Sequence, residues 1–226
     1  MVRTQVLLSW SGGKDAAWAL HELQQRDDVE VVALLSTLTE AYDRSSMQGV
    51  RRQVLLAQAD AAGLPLLEAW IPQVCDNAVY LQRMTAALRE AQQRWPGLAS
   101  IAFGDLLLED IRRWREQQYA PLGWQTLFPL FGHDTTALAR QMIANGLHAQ
   151  LCCVDSERLD AGFAGRVFDQ TFLDELPAGI DACGENGEFH TCASAGPMFR
   201  APLKLEQGDT VLRGNRYAYT DFTLQL

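Results

Sequence analysis

The 226-residue sequence is short of lysine: Lys14 and Lys204 are its only two, against seventeen arginines. It has no apolar run near the roughly 18 residues that a bilayer-spanning helix needs, which excludes a membrane-spanning helix. Cysteine is sparse and unpaired. The five thiols (Cys75, Cys152, Cys153, Cys183 and Cys192) are odd in number and contain no CxxC spacing. That excludes a disulfide framework and a zinc ribbon, and predicts buried, reduced thiols. HExxH is absent, as are internal repeats and low-complexity linkers. Positive charge is in deficit, with 19 Lys+Arg against 28 Asp+Glu and a net charge of −9. Such a surface repels phosphodiester backbones, so nucleic-acid partners are disfavoured beyond a local basic patch. The start, MVRTQVLLSWSGG, lacks the apolar core of a signal peptide, and the expected location is cytoplasmic.

What is present is an ordinary globular composition, 48% hydrophobic and 21% charged. Short apolar runs alternate with helical stretches. Strands are predicted at Gln5–Ser9, Glu30–Leu38, Leu64–Ile71 and Ser100–Leu106. Helices are predicted at Lys14–Arg26, Ser46–Ala62, Asp76–Trp95 and Glu109–Tyr119. This alternation implies an α/β fold: a Rossmann-like parallel sheet with helices on both faces. From about Gly123 the texture changes. A helix near Thr135–Asn145 and a strand at His148–Val154 are followed by Gly-rich, strand-like sequence that closes in a hairpin. The expected domains are 1–125 and a smaller mixed α/β lobe, 126–226.

The stretch LLSWSGGKDAAWAL opens the chain's chemistry. Gly12 and Gly13 after a strand let backbone amides approach an anion. Ser9 and Ser11 add hydroxyls, Lys14 adds charge, and the following helix points its free N–H groups at the same spot. The loop is neither a Walker A sequence nor GxGxxG. It suits a polyphosphate, with Asp15 as the ligand of a bridging Mg²⁺. Gly104 and Asp105 fall at the end of another strand and line the same expected crevice.

The second dense stretch is CGENGEFHTCASAGPMF, residues 183–199. Glu188 and His190, two apart, are expected on one face of a strand, with Glu185 reaching it through the Asn186-Gly187 turn. Two carboxylates and an imidazole suit a cation, an acid–base pair or an amine. Other polar residues read as structural. His21, His133 and His148 have no ligand spacing, and Arg112, Arg113 and Arg115 read as a solvated helix face of mixed charge. Trp10 reads as core or as a surface for adenine stacking.

SxSGGKD resembles the pyrophosphate loop of the N-type ATP pyrophosphatases. Together with GENGEFHT it resembles the diphthine–ammonia ligase family, and GVRRQVLLAQADAAGLPL, FGDLLLEDIRRWRE and LDAGFAGRVFD extend the likeness over nearly the whole chain. The SMxGVRR region is similar to the family's bacterial branch, in which the modified histidine of archaeal and eukaryotic elongation factors is not expected. The resemblance implies ATP-dependent amidation: a carboxylate, small or protein-borne, is adenylated, and ammonia or an amine displaces AMP. It implies ATP and Mg²⁺ as cofactors. Ser9, Ser11, Gly12, Gly13, Lys14, Asp15, Gly104 and Asp105 would form the ATP side, and Gly184, Glu185, Glu188, His190 and Thr191 the substrate side. Lys14, Asp15, Glu185, Glu188 and His190 would be catalytic. The chain departs from the family pattern at Ala16, usually Ser, and at Gln48, commonly His. A nucleotide sensor without turnover and an RNA-modifying ATP pyrophosphatase remain alternatives, and homo-oligomerisation is left open.

Overall fold

A computed structural model describes residues 3–225. The first strand, β1 (Thr4–Ser9), sends Val6 and Leu8 into one core and Leu7 into another, as the two-residue pleat requires. After it come α1 (Lys14–Gln24), β2 (Val29–Thr39), the short β3 (Arg44–Ser45), α2 (Arg52–Ala62) and β4 (Leu66–Ile71). Then follow α3 (Asn77–Arg94), β5 (Ser100–Ala102), α4 (Glu109–Tyr119) and β6 (Gln125–Leu127). The rest of the chain builds α5 (Thr135–Ala144), β7 (His148–Asp155), α6 (Gln170–Asp174), β8 (Phe189–Ala195), β9 (Leu205–Arg213) and β10 (Tyr217–Leu224).

β4, β2, β1, β5 and β6 pair in parallel in that spatial order, and β3 adds antiparallel to the end of β2. The chain therefore steps outward from β1 in one direction and then returns to its other side at β5. The loops that leave β1 and β5 part from each other, and the crevice between them is where open α/β sheets bind ligands. One core (Leu7, Ala33, Leu35, Met84, Leu88, Phe103, Tyr119) lies on the α3 and α4 face. Helices α1 and α2 cover the other face. The α/β reading with a smaller second lobe is thus observed.

That lobe is an antiparallel sheet in the order β8-β7-β10-β9, with α5 and α6. It shares one continuous core with α1 and α2, in which Trp18, Leu20 and Leu55 join Leu138, Leu151, Phe168 and Phe189. Backbone bonds stitch the lobes together: the Ala193 amide donates to the Gly12 carbonyl (2.9 Å) and the Arg200 amide to the Ala61 carbonyl (2.7 Å). Buried Gln58 donates to the carbonyls of Gly12 and Ala193 and accepts from the Trp10 indole. Asp221 of β10 takes both Arg44 and Arg51.

Two elements differ from the sequence expectation. The helix expected over Ser46–Ala62 starts at Arg52. Gly49 takes φ +71°, and Ser45 Oγ accepts from the Val50 amide, so this stretch turns before it can wind. The strand expected over Ser100–Leu106 stops at Ala102. Beyond it the amides of Leu106 and Leu107 leave the sheet for the Glu185 carboxylate. β6 begins at Gln125, so it runs across the expected boundary between residues 125 and 126, and it pairs with β5. No helix of the described residues is long and apolar enough to cross a membrane.

Candidate active site

A cleft of about 610 Å³ lies among the loop after β1, the exit of β5 and the turn before β8; Ser9, Ser11, Asp15, Gly104, Asp105, Gly184, Glu185 and His190 are all in its walls. A second cavity of about 550 Å³ adjoins it over the ends of β1, β2 and β4, with Trp10, Thr37, Ile71, Pro72 and Tyr80 in its walls.

The loop is shaped by close approach. Gly12 has φ +81°, and a Cβ there would come within 2.7 Å of the Leu55 side chain. At Gly104 a Cβ would lie 2.9 Å from the Asp15 carbonyl carbon, so only glycine lets the β5 exit touch the start of α1. Ser11 Oγ accepts from the Gly13 amide, and the Lys14 amide donates to Thr191 Oγ1 at 3.0 Å. The second lobe thus fixes the back of the loop. Among the described residues no acceptor takes the amides of Ser11, Gly12 or Ala16. With the positive end of α1, these donors make an anion cradle.

Lys14 does not line the cleft. It is 1% exposed, and its ammonium donates to Asp15 (2.9 Å) and to the Cys183 carbonyl, near the rings of Phe189 and Phe168 (5.3 and 5.6 Å). Burial opposes its charge, but Asp15 above all, with Cys183 and Glu185, holds its pKa above the ordinary lysine value. The one cation of the loop is therefore a bolt between the lobes. Asp15 keeps its other oxygen, Oδ1, buried with no protein partner. Burial pushes this carboxyl up against the pull of Lys14. An unpartnered carboxylate oxygen beside an anion cradle is the type of donor that would suit Mg²⁺. Among the described residues no group of three or more His, Cys, Asp or Glu could hold a metal unaided.

Across the cleft the acids divide. Glu185 accepts from the amides of Leu106 and Leu107 (3.1 and 3.2 Å) and faces the cavity. Burial, then Asp15, pushes it up to about 7, although Lys14 and the two amides pull the other way. Burial, then Lys14, lowers His190 to about 4, which keeps it neutral. Glu188 is 2% exposed and turned away. Its carboxylate accepts from the amides of Asp181 and Asn186 and from the Asn186 side chain. The shared face expected for Glu188 and His190 does not form, because β8 begins only at Phe189 and Glu188 belongs to the preceding turn. Thr191 is buried and serves the Lys14 amide.

Asp105 is gripped by Arg115, whose Nε and Nη2 lie 2.5 and 3.1 Å from its two oxygens. The guanidinium stacks 4.1 Å from the Phe103 ring. The expected solvated Arg cluster therefore splits: Arg113 is exposed, whereas Arg115 lines both cavities. Sequence reasoning passed over it, and one signal was available: buried Tyr119 sits four residues on, on the same helix face. Met47 and Gln48 also line both cavities, carried there by the turn that replaces the first part of the expected helix. Trp10 is buried, with its indole N–H on Gln58. The five cysteines are free, four of them buried.

A family model described as the diphthamide synthase N-terminal domain matches residues 3–125, and one described as the diphthamide synthase C-terminal domain matches residues 134–220. A Danio rerio protein named diphthine–ammonia ligase is 27% identical over 229 residues, covering 91% of this chain and 88% of that protein.

Proposed function

The chain belongs to the diphthamide synthase family, and from that premise we propose that it is an ATP-dependent amide ligase acting at the cleft between its lobes. The observation that carries this reading is one of placement. The sheet's reversal sets free loop amides and the orphaned Asp15 oxygen on one wall, with Glu185 and His190 of the second lobe on the other.

In this reading the phosphates of ATP rest on Ser9, Ser11 and the amides of Ser11 and Gly12 at the start of α1. Gly13 and Lys14 shape the loop behind them. Gly104 and Asp105 form the opposite lip. Asp15 Oδ1 would hold a Mg²⁺, and that ion would supply charge neutralisation for the transferring group. The substrate carboxylate enters beside Gly184, Glu185 and His190, and one of its oxygens attacks the α-phosphorus. The bond from that phosphorus to the pyrophosphate oxygen breaks as the new O–P bond forms. Ammonia then adds to the acyl carbon, the C–O bond to the phosphate breaks and AMP leaves. The nitrogen sheds one proton in that second step. Glu185, set near neutrality by burial and Asp15, accepts it. Neutral His190 positions the incoming group without repelling a cation. Glu188 and Thr191 support the site from behind.

The substrate is a carboxylate, small or protein-borne, and the nitrogen comes from ammonia. Carboxylate-dependent exchange of labelled pyrophosphate into ATP tests the first half-reaction. AMP and pyrophosphate are the expected products with ammonia present; ADP and inorganic phosphate would overturn the reading.

A further inference from the structure

We propose that Arg115 is the residue that grips the phosphate joining nucleoside to acyl group, and that Asp105 is its positioning residue. The inference rests on the ligase reading and deepens it. The two cavities meet at a neck formed by five residues lining both: Ser9, Ser11, Met47, Gln48 and Arg115. One side of the neck holds Asp15, Glu185 and His190, where carboxylate and ammonia react. The other side has Ile71, Pro72 and Tyr80 beside Thr37, Gln73 and Asn77, a mixed apolar and polar lining that suits the base and sugar of a nucleoside. A molecule that occupies both cavities places its linking phosphate at the neck.

Arg115 is the one charged residue among the five. Lys14, the loop's own cation, is committed to Asp15 and the Cys183 carbonyl inside the second lobe. Arg158, the other arginine lining the reaction cavity, is half-exposed and drawn to Asp155. Arg115 is also pre-organised. Its side chain is 21% exposed, two of its five N–H groups are fixed by Asp105, and Phe103 lies against its face. Three N–H groups remain in a rigid plane, a geometry suited to phosphate oxygens. A guanidinium held in this way needs no reorganisation when charge shifts onto the phosphate.

The test compares binding of AMP, Mg²⁺-ATP and adenosine by calorimetry, for the wild type and for Arg115→Ala, Arg115→Lys and Asp105→Asn, each with its thermal midpoint. Arg115→Ala is expected to weaken AMP and ATP by roughly ten- to a hundredfold, the worth of a charge-assisted contact, and to leave adenosine within about twofold. Arg115→Lys, which keeps charge and loses the fork, is expected to recover part of that loss. Asp105→Asn is expected to weaken AMP less than Arg115→Ala does. A purely structural ion pair between α4 and the β5 exit would lower the midpoint and spare the AMP-to-adenosine ratio, which overturns the assignment. If Arg115→Ala does not fold, the same ratio in Arg115→Lys decides. A wild type that binds neither nucleotide removes the ligase reading itself, and this assignment with it.

Discussion

The loop after β1 and the turn before β8 face each other across one cleft, and they manage their polar groups in opposite ways. The loop's side chains are mostly engaged: Lys14 is bolted into the second lobe, and Ser11 Oγ holds the Gly13 amide. What it offers a ligand is chiefly backbone N–H, with the Ser9 and Ser11 hydroxyls and one unpartnered carboxylate oxygen. The turn does the reverse. Its backbone amides at Asp181, Cys183, Glu185 and Asn186 are taken up by its own carboxylates, Asp181 and Glu188. What it presents is side chain, Glu185 and His190. A wall of amides is fixed by the fold and suits phosphate oxygens, which carry charge through the reaction and exchange no proton. A wall of titratable side chains suits the part where protons move.

The sharpest way to break this contrast is at Glu185. Glu185→Gln is expected to lower kcat roughly 10²–10⁴-fold, the range for loss of a general base. As a base the residue must be ionised, so kcat measured at saturating ammonium salt is expected to fall as pH drops through about 7, and that limb disappears in the variant. The stability sign runs the other way. A carboxyl whose folded pKa is raised favours the native state below its unfolded value and loses that contribution as pH rises through about 7. Above neutrality the folded variant should therefore be no less stable than the wild type by thermal midpoint. A variant that unfolds early, or keeps its acid limb, would move Glu185 from chemistry to architecture.

Lys14 sharpens the other side. If it is a bolt, Lys14→Met leaves Asp15 buried and unpaired, and the expected cost is about 3–5 kcal/mol. For a chain of this size that lowers the thermal midpoint by roughly 6–20 °C, beside any loss of turnover. A Lys14 that served only phosphate would cost turnover and leave the midpoint where it was.

How legible these walls were in the sequence follows from the reach of each signal. Period-two and helical patterning marked β1, β2, β4, α3 and α4 to within a residue or two, because those signals are local. The loop's shape was also local, written in Gly12, Gly13 and the helix start. The direction of Lys14 was not, since its carbonyl partner lies 169 residues away. Arg115 looked like one charge in a mixed run, and only the β5 exit, with Asp105 and Phe103, shows which way it faces. Gln48 and Met47 reached the cleft because Gly49 and Ser45 form a turn where apolar spacing suggested a helix. Glu185 and Glu188 were indistinguishable by type. Their division depends on where β8 starts and on the Leu106 and Leu107 amides, some 80 residues upstream.

That division yields the smallest of the expected effects. Glu188→Gln removes a charge that accepts three hydrogen bonds within the turn and presents an NH₂ group to donors. The expected cost is about 1–3 kcal/mol of stability, read from denaturant midpoints, because a buried donor is left unsatisfied. Turnover suffers only as far as the turn loosens, so KM for the carboxylate should rise more than kcat falls, and the pH profile should keep its limb near 7. Since Glu185 hangs on the same turn, Glu185→Gln and Glu188→Gln should not be additive when combined: contact between two residues of one network produces coupling. A Glu188→Gln protein with unchanged stability and a kcat loss as deep as that of Glu185→Gln would place both carboxylates at the reacting atoms, and the contrast between the two walls would no longer hold.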